Sequence, residues 1–270
     1  MDNIDRFLKE DLNDEGDITS KALFSTQRGT GIIFVKEPCV VAGLAEADLV
    51  FNKTGATLKP LVNDGDHVEK NTTIAEITGS LISILSGERL ALNFLGRMCA
   101  IATTTKDLVD HCKKINPKIQ IAATRKTTPG FRSYEKKAVQ LGGGEPHRFG
   151  LYDAVMIKDN HIKAVGSIKE SILRAKKVKN KIIEVEVENQ TDAMTAADLQ
   201  VDVIMLDNFT PKNAEKIAKQ IRNKNSAILI ELSGGITPEN IEEYATFADR
   251  ISLGYLTHTV KNTDISLELK

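Results

Sequence analysis

The chain has no tryptophan, and aromatic residues make up only 5% of its 270 positions, too few for a reader of single-stranded nucleic acid built on stacked rings. Its formal net charge is −1. That removes the basic excess which general nucleic-acid binders spread over a whole domain. Cysteine is scarce: Cys39, Cys99 and Cys112 are odd in number and show no C-x-x-C spacing, so neither a disulfide framework nor a zinc site is expected. Long apolar runs are missing too, none approaching the roughly 18 to 20 residues needed to cross a bilayer. The acidic start "MDNIDRFLKEDLNDEGD" lacks the apolar core of a signal peptide. A cytoplasmic globular protein is expected, and 41% hydrophobic residues can fill one large core or two modest ones.

Two textures meet near residue 115. From about 30 to 80 the chain reads as short strands and turns, with Asp64-Gly65-Asp66 as a tight turn. A helix over "LAEADLVFNKTG" interrupts them and closes at Gly55. A longer helix over "SGERLALNFLGRMCAIATTTKDLVDHCKK" follows on a 3.6-residue period and is expected to link two domains. Beyond 117, "KIQIAAT", "AVMIK", "KIIEVEVE", "VDVIMLD", "SAILIEL" and "DRISLG" read as six buried parallel strands. Helix starts lie between them: Ser167 with Glu170 as a capping box, then Thr210-Pro211 and Thr237-Pro238 as N-cap and first turn.

Such alternation means a parallel α/β architecture, either an open doubly wound sheet or a barrel. Charged or glycine-rich signatures follow strand after strand, at Thr124-Arg125-Lys126, Lys158, Glu186, Asp207, Ser233-Gly234-Gly235 and Gly254. A barrel builds its site from many strand ends in this way, whereas an open sheet concentrates it at one switch point. The barrel is therefore favoured. The expected domains are residues 1–115, an N-terminal α/β sandwich with the linking helix; 116–258, an incomplete six- or seven-stranded α/β barrel; and 259–270, a segment returning to the first domain.

Within this neutral chain, seven Lys and Arg residues fall between Thr124 and His161, with Lys163 just beyond. Lys136 and Lys137 read as the solvated face of a short helix. Arg125, Lys126, Arg148 and Lys158 instead sit at strand ends or in loops beside glycine and histidine, where helix solubility does not explain them. A small, densely charged anion does. Gly142-Gly143-Gly144 leads directly to His147-Arg148, and His161 lies in the same cluster. Ser233-Gly234-Gly235 before a helix start has the makings of a phosphate cradle. "EVEVEN" puts Glu184, Glu186 and Glu188 on one face of a strand; inside a barrel such carboxylates need partners. Glu186 and Asp207 could meet ribose hydroxyls or a divalent cation, partly through water. His67 and His111 read as incidental, and His258 stays open between the two readings.

"ERLALNFL", "TRKTTPGFR", "EKKAV", "GGGEPHRFGL", "IKDNHI", "EVEVEN", "IMLDNF", "LSGGI" and "SLGYLTHTV" occur in the order and approximate spacing of quinolinate phosphoribosyltransferases, and the chain resembles that family from about residue 16 to its end. The resemblance implies a type II phosphoribosyltransferase fold and the conversion of quinolinate and phosphoribosyl pyrophosphate, with Mg²⁺, to nicotinate mononucleotide, pyrophosphate and CO₂. It implies catalytic roles for Lys126, Lys158, Glu186 and Asp207, with Glu186 and Asp207 facing ribose and metal. Arg125, His147, Arg148 and His161 would bind substrate, and Ser233, Gly234, Gly235 and Gly254 the 5′-phosphate. Arg89 matches an arginine that enters the neighbouring subunit's site, so a homodimer is implied. The chain departs from the family pattern at Ala123, Pro146 and Cys99-Ala100. A molybdenum-utilisation branch of the same fold shares several motifs; "IKDNH" and "RFGL" favour the quinolinate branch. A phosphate-ligand sensor and a carrier module are the rivals from other classes, the latter lacking an exposed lysine at the hairpin tip of "VNDGDHVEKNTTIAEITG".

Overall fold

The structure, a computed structural model, describes residues 3–270; Met1 and Asp2 of the acidic start lie outside the described residues. The chain divides into two compact units. One holds the residues up to Lys106 together with Lys137–Gly143 and Val260–Lys270, the other Asp107–Lys136 and Gly144–Thr259. The division thus falls inside a helix, nine residues before the position read from the sequence as 115/116, and a seven-residue piece from the middle of the chain groups with the first unit.

The first unit contains α1 (Asn3–Leu12), α2 (Ile18–Leu23), β1 (Arg28–Val35), β2 (Cys39–Val40), α3 (Leu44–Thr54), β3 (Thr57–Pro60), β4 (His67–Val68), β5 (Thr73–Ser80) and the start of α4 (Leu81–Ile115). Helix α4 begins five residues before Ser86, where periodicity placed it. A C-terminal strand, Ile265–Leu269, completes the unit: it pairs antiparallel with β1 from Gly31 opposite Leu269 to Val35 opposite Ile265. With β5 and β3 on the other side, this makes a four-stranded antiparallel sheet. Period-2 alternation in "GIIFV" sends Ile33 and Val35 into the core, both fully buried. Helix α3 packs Ala47, Val50 and Phe51 on β3 at no exposure. It ends as expected at Gly55, where Ala56 N donates to Phe51 O at 2.9 Å.

The second unit carries β6 (Gln120–Ala123), α5 (Arg132–Leu141), β7 (Val155–Ile157), α6 (Asp159–Val165), α7 (Ile168–Ala175), β8 (Ile183–Val187), α8 (Gln190–Asp198), β9 (Val203–Asp207), α9 (Pro211–Lys224), β10 (Leu229–Ser233), α10 (Ile241–Ala245), β11 (Arg250–Leu253) and α11 (Tyr255–His258), with α5 running on into the first unit; the C-terminal strand is β12. All six strands foreseen here form, in the order β6-β11-β10-β9-β8-β7, paired parallel throughout. The end strands β6 and β7 share no ladder, yet residues at the ends of both line one cavity, so the sheet is curled into an incomplete barrel. The fold is α/β, an N-terminal sheet unit followed by that barrel.

The helix starts at Ser167 and Thr210-Pro211 are found, Ser167 Oγ accepting from Glu170 N. The one at Thr237-Pro238 is corrected. Asn240 Oδ1 takes up Thr237 N at 2.9 Å, so residues 237–240 form a turn and the short helix α10 starts only at Ile241. A buried aromatic deletion costs about 3 to 5 kcal/mol, and an exposed one within about 0.5 kcal/mol. Phe51→Ala should therefore fall in the first range by urea unfolding, whereas Leu49→Ala on the exposed side of the same helix should fall near the second.

Candidate active site

Because side chains alternate along a strand, every second residue of β6–β11 points to the concave face. Registered pairing aligns these residues in layers: Glu231 lies beside Met205 on one side and Arg250 on the other, and Ser233 beside Asp207. The upper layers and the loops above them enclose a cavity of ≈ 840 Å³. Arg125, Lys126, His147, Arg148, Lys158, Glu186, Asp207, Ser233, Gly234, Gly235 and Gly254 all line it. Eleven residues singled out from the sequence are thus brought together.

Two are not. His161 lines an adjoining cavity of ≈ 370 Å³ that shares Arg125, Arg148 and Lys158 with the first. There its Nδ1 accepts from Lys158 N at 3.0 Å, which caps α6 and fixes the backbone of the lysine. Arg89 is an exposed side chain on the part of α4 that belongs to the first unit.

The charges around the cavity are sorted by strand. The β6 and β7 side carries the cations. Burial, followed by the charge of Arg125, pushes the Arg148 guanidinium below its ordinary range. In the middle, Lys158 pairs with Glu186 at adjacent strand ends. Burial, and then the Glu186 carboxylate, push Asp207 up, against the opposing pull of Lys158. On the β10 and β11 side the wall includes glycine loops beside Thr237, Tyr255 and His258. Gly234 adopts φ 81°, and a methyl group there would lie 2.3 Å from Asn208 Oδ1, so only glycine lets the two loops meet. At Gly254 the same atom would lie 2.7 Å from His258 Nε2 and 3.0 Å from Lys126 Cδ. The phosphate cradle foreseen there is therefore a glycine loop without a long helix behind it.

Below this layer is a buried polar floor that sequence reading captured only in part. Glu184, on the face with Glu186, is 2% exposed, and Glu231 is 0% exposed. His147 Nε2 lies 3.1 Å from Glu184 Oε2 and 3.7 Å from Glu231 Oε2. Glu231 also accepts from Arg250 at 3.0 Å and from Ser252 Oγ. The signal for Glu231 was present as a lone carboxylate inside the apolar run "SAILIEL". Asn208 was missed as well; its left-handed φ of 59° suits asparagine. His258, left open by the sequence, lines the cavity.

Lys136 contradicts the solvated-face reading, and Lys137 meets it only in part, being half-exposed. Lys137 bonds Glu46 at 2.9 Å, and Lys136 is fully buried. Charge was counted there by residue type, but α5 turns Glu135, Lys136, Ala138 and Val139 inward.

Comparison with known proteins agrees with this geometry. Residues 17–99 match the N-terminal domain of quinolinate phosphoribosyl transferase and residues 101–268 its C-terminal domain. The chain is 40% identical over 257 residues, 94% of its length and 98% of the relative's, to the "Probable nicotinate-nucleotide pyrophosphorylase (carboxylating)" of Archaeoglobus fulgidus. It is 36% identical to the rat nicotinate-nucleotide pyrophosphorylase (carboxylating), covering 88% of this chain and 81% of that one. The solved nicotinate-nucleotide pyrophosphorylase of Francisella tularensis superposes with a TM-score of 0.92 at 35% identity, over 99% of this chain and 94% of that one. The chain belongs to the quinolinate phosphoribosyltransferase family.

Proposed function

We propose that this protein transfers the phosphoribosyl group of phosphoribosyl pyrophosphate to quinolinate with decarboxylation, giving nicotinate mononucleotide, pyrophosphate and CO₂ for NAD synthesis. The observation that carries the reading is one cavity in which four Lys and Arg side chains, two histidines, two carboxylates and a glycine-lined wall occupy successive strand ends. Quinolinate brings two carboxylates, and its co-substrate a 5′-phosphate and a pyrophosphate. A cavity of ≈ 840 Å³ has the size of a substrate site. Motif and family evidence together favour this reading over the molybdenum-utilisation branch and over a sensor. Among the described residues no helix is long and apolar enough to cross a membrane. A cytoplasmic location accords with this.

The chemistry follows from the layout. The bond from ribose C1 to pyrophosphate breaks and the pyridine nitrogen attacks the oxocarbenium-like carbon; the resulting pyridinium stabilises the electron pair left on C2 as CO₂ departs, and C2 then takes a proton from water to give nicotinate mononucleotide. Lys126, Lys158, Arg125 and Arg148 stabilise the departing and anionic groups electrostatically. Gly234, Gly235 and Gly254 let the backbone approach the 5′-phosphate, with Ser233 beside them. Glu186 and Asp207 orient the ribose, and as two carboxylates at the ends of neighbouring strands they would hold Mg²⁺, partly through water. Mg²⁺ would neutralise the pyrophosphate oxygens as they gain charge. No protein nucleophile is needed; positioning supplies much of the rate. Arg89 serves the partner's site in a homodimer, as an exposed arginine remote in sequence from the cluster.

Quinolinate should be preferred to nicotinate in kcat/KM by at least about 30-fold, the factor for roughly 2 kcal/mol when one buried cation is left unpaired. Equal values would sink the assignment, and absence of CO₂ and pyrophosphate release would leave a sensor. Glu186→Ala and Asp207→Ala should weaken use of phosphoribosyl pyrophosphate and Mg²⁺ while calorimetry still detects quinolinate; loss of quinolinate binding alone would reverse the roles. Arg89→Ala and Lys158→Ala should each be folded and nearly inactive. Verified mixed dimers of the two should recover up to about half the activity, because one site then carries both defects and the other neither.

A further inference from the structure

The backbone ladder that extends β6 breaks off just short of the cavity. Glu145 N donates to Ile121 O at 2.8 Å and Ala123 N to Glu145 O at 3.0 Å, the pattern of a parallel pair. Its next rung would run from His147 N to Ala123 O. His147 adopts φ 52° instead, which turns the chain out of the strand as the imidazole enters the cavity wall. The Lys136 ammonium sits at this gap, with Nζ 3.5 Å from Ala123 O and donating to Pro146 O. Ala123 immediately precedes Thr124-Arg125-Lys126, and Pro146 immediately precedes His147-Arg148. One fully buried side chain therefore touches the roots of both cation-bearing loops.

We infer that Lys136 is a positioning residue for the phosphoribosyl transfer proposed above: its ammonium replaces the missing rung and holds the Arg125 and His147-Arg148 loops at the spacing the anionic substrates need. The side chain does not line the cavity, so it acts through the two loops. The charged groups that face it are Arg132 on its own helix, Arg125 after β6, and Arg148 and Asp153 before β7. Burial first, then the charges of Arg132 and Arg148, lower its pKa from 10.5 to about 8, with Asp153 opposing. Between those two values the unfolded chain holds the proton and the folded chain does not. The contribution of Lys136 to stability therefore rises with pH through that window, while the charge-assisted clamp is lost. Activity and this part of stability should move in opposite directions.

The test compares wild type, Lys136→Met and Lys136→Gln across the alkaline range, measuring kcat and KM for both substrates and thermal unfolding at each pH. Wild-type kcat/KM should fall as pH passes about 8. Lys136→Gln, which keeps a donor and loses the titration, should be flat there, near the wild-type alkaline level. Loss of the hydrogen bonds in Lys136→Met should raise KM for quinolinate roughly tenfold with a smaller change in kcat. The same alkaline fall in Lys136→Gln would overturn the inference, as would an unchanged KM in a folded Lys136→Met. So would a wild-type fall that tracks loss of thermal stability relative to Lys136→Gln. Should Lys136→Met not fold, the pH profile of Lys136→Gln decides alone. A wild-type chain inactive at every pH would instead sink the functional reading, and this inference with it.

Discussion

Titratable groups are buried on the concave face of the curled sheet, and their mutual pairing is the constraint on which the site depends. A lone ion moved into a protein interior costs several kcal/mol even after relaxation, so Glu184 and Glu231 can lie beneath the cavity only with partners at hand. His147 meets Glu184 through Oε2, leaving Oε1 without a hydrogen bond, while Arg250 and Ser252 bond Glu231. The floor thereby anchors the imidazole at a residue whose backbone has left the strand. Removing one member would leave a buried polar group of another without its partner, so the network favours a single arrangement.

Above that floor the charge is graded around the barrel, from cations after β6 and β7, through carboxylates on β8 and β9, to glycine loops after β10 and β11. The gradient matches substrates whose anionic groups lie at different ends of a reacting pair. It also means that like charges press on one another before any substrate arrives. Arg148 and Lys136 are held below their ordinary pKa values, and Asp207 above its own, by burial together with neighbours of the same sign. An anion between the arginines, or a cation between the carboxylates, relieves that repulsion. Binding and charge neutralisation are in this sense one event.

Much of the fold was legible because it depends on local rules. The apolar runs of the second unit became the six strands, since a run of four to six apolar residues between turn signals has little alternative to a buried parallel strand. Helix α3 stopped at Gly55 where a C-terminal glycine is cheapest. Thr237-Pro238 looked like an N-terminus equally well, but Asn240 took up the Thr237 amide and delayed the helix, a competition between side chains that composition does not reveal.

Residue identity and spacing by themselves determined that Lys158, Glu186, Asp207 and Ser233 fall at the ends of strands on one alternating face, and so in the cavity. Only the tertiary structure decided which of the remaining charges are buried and with whom. In the sequence Lys136 and Lys137 are equal neighbours, yet one pairs with Glu46 and the other is enclosed between two carbonyls. Glu231 is one carboxylate in an apolar run until β11 brings Arg250 and Ser252 beside it. The physical reason is that the electrostatic environment of a charge is set by groups far away in the chain, and those distances exist only once the sheet has closed around them.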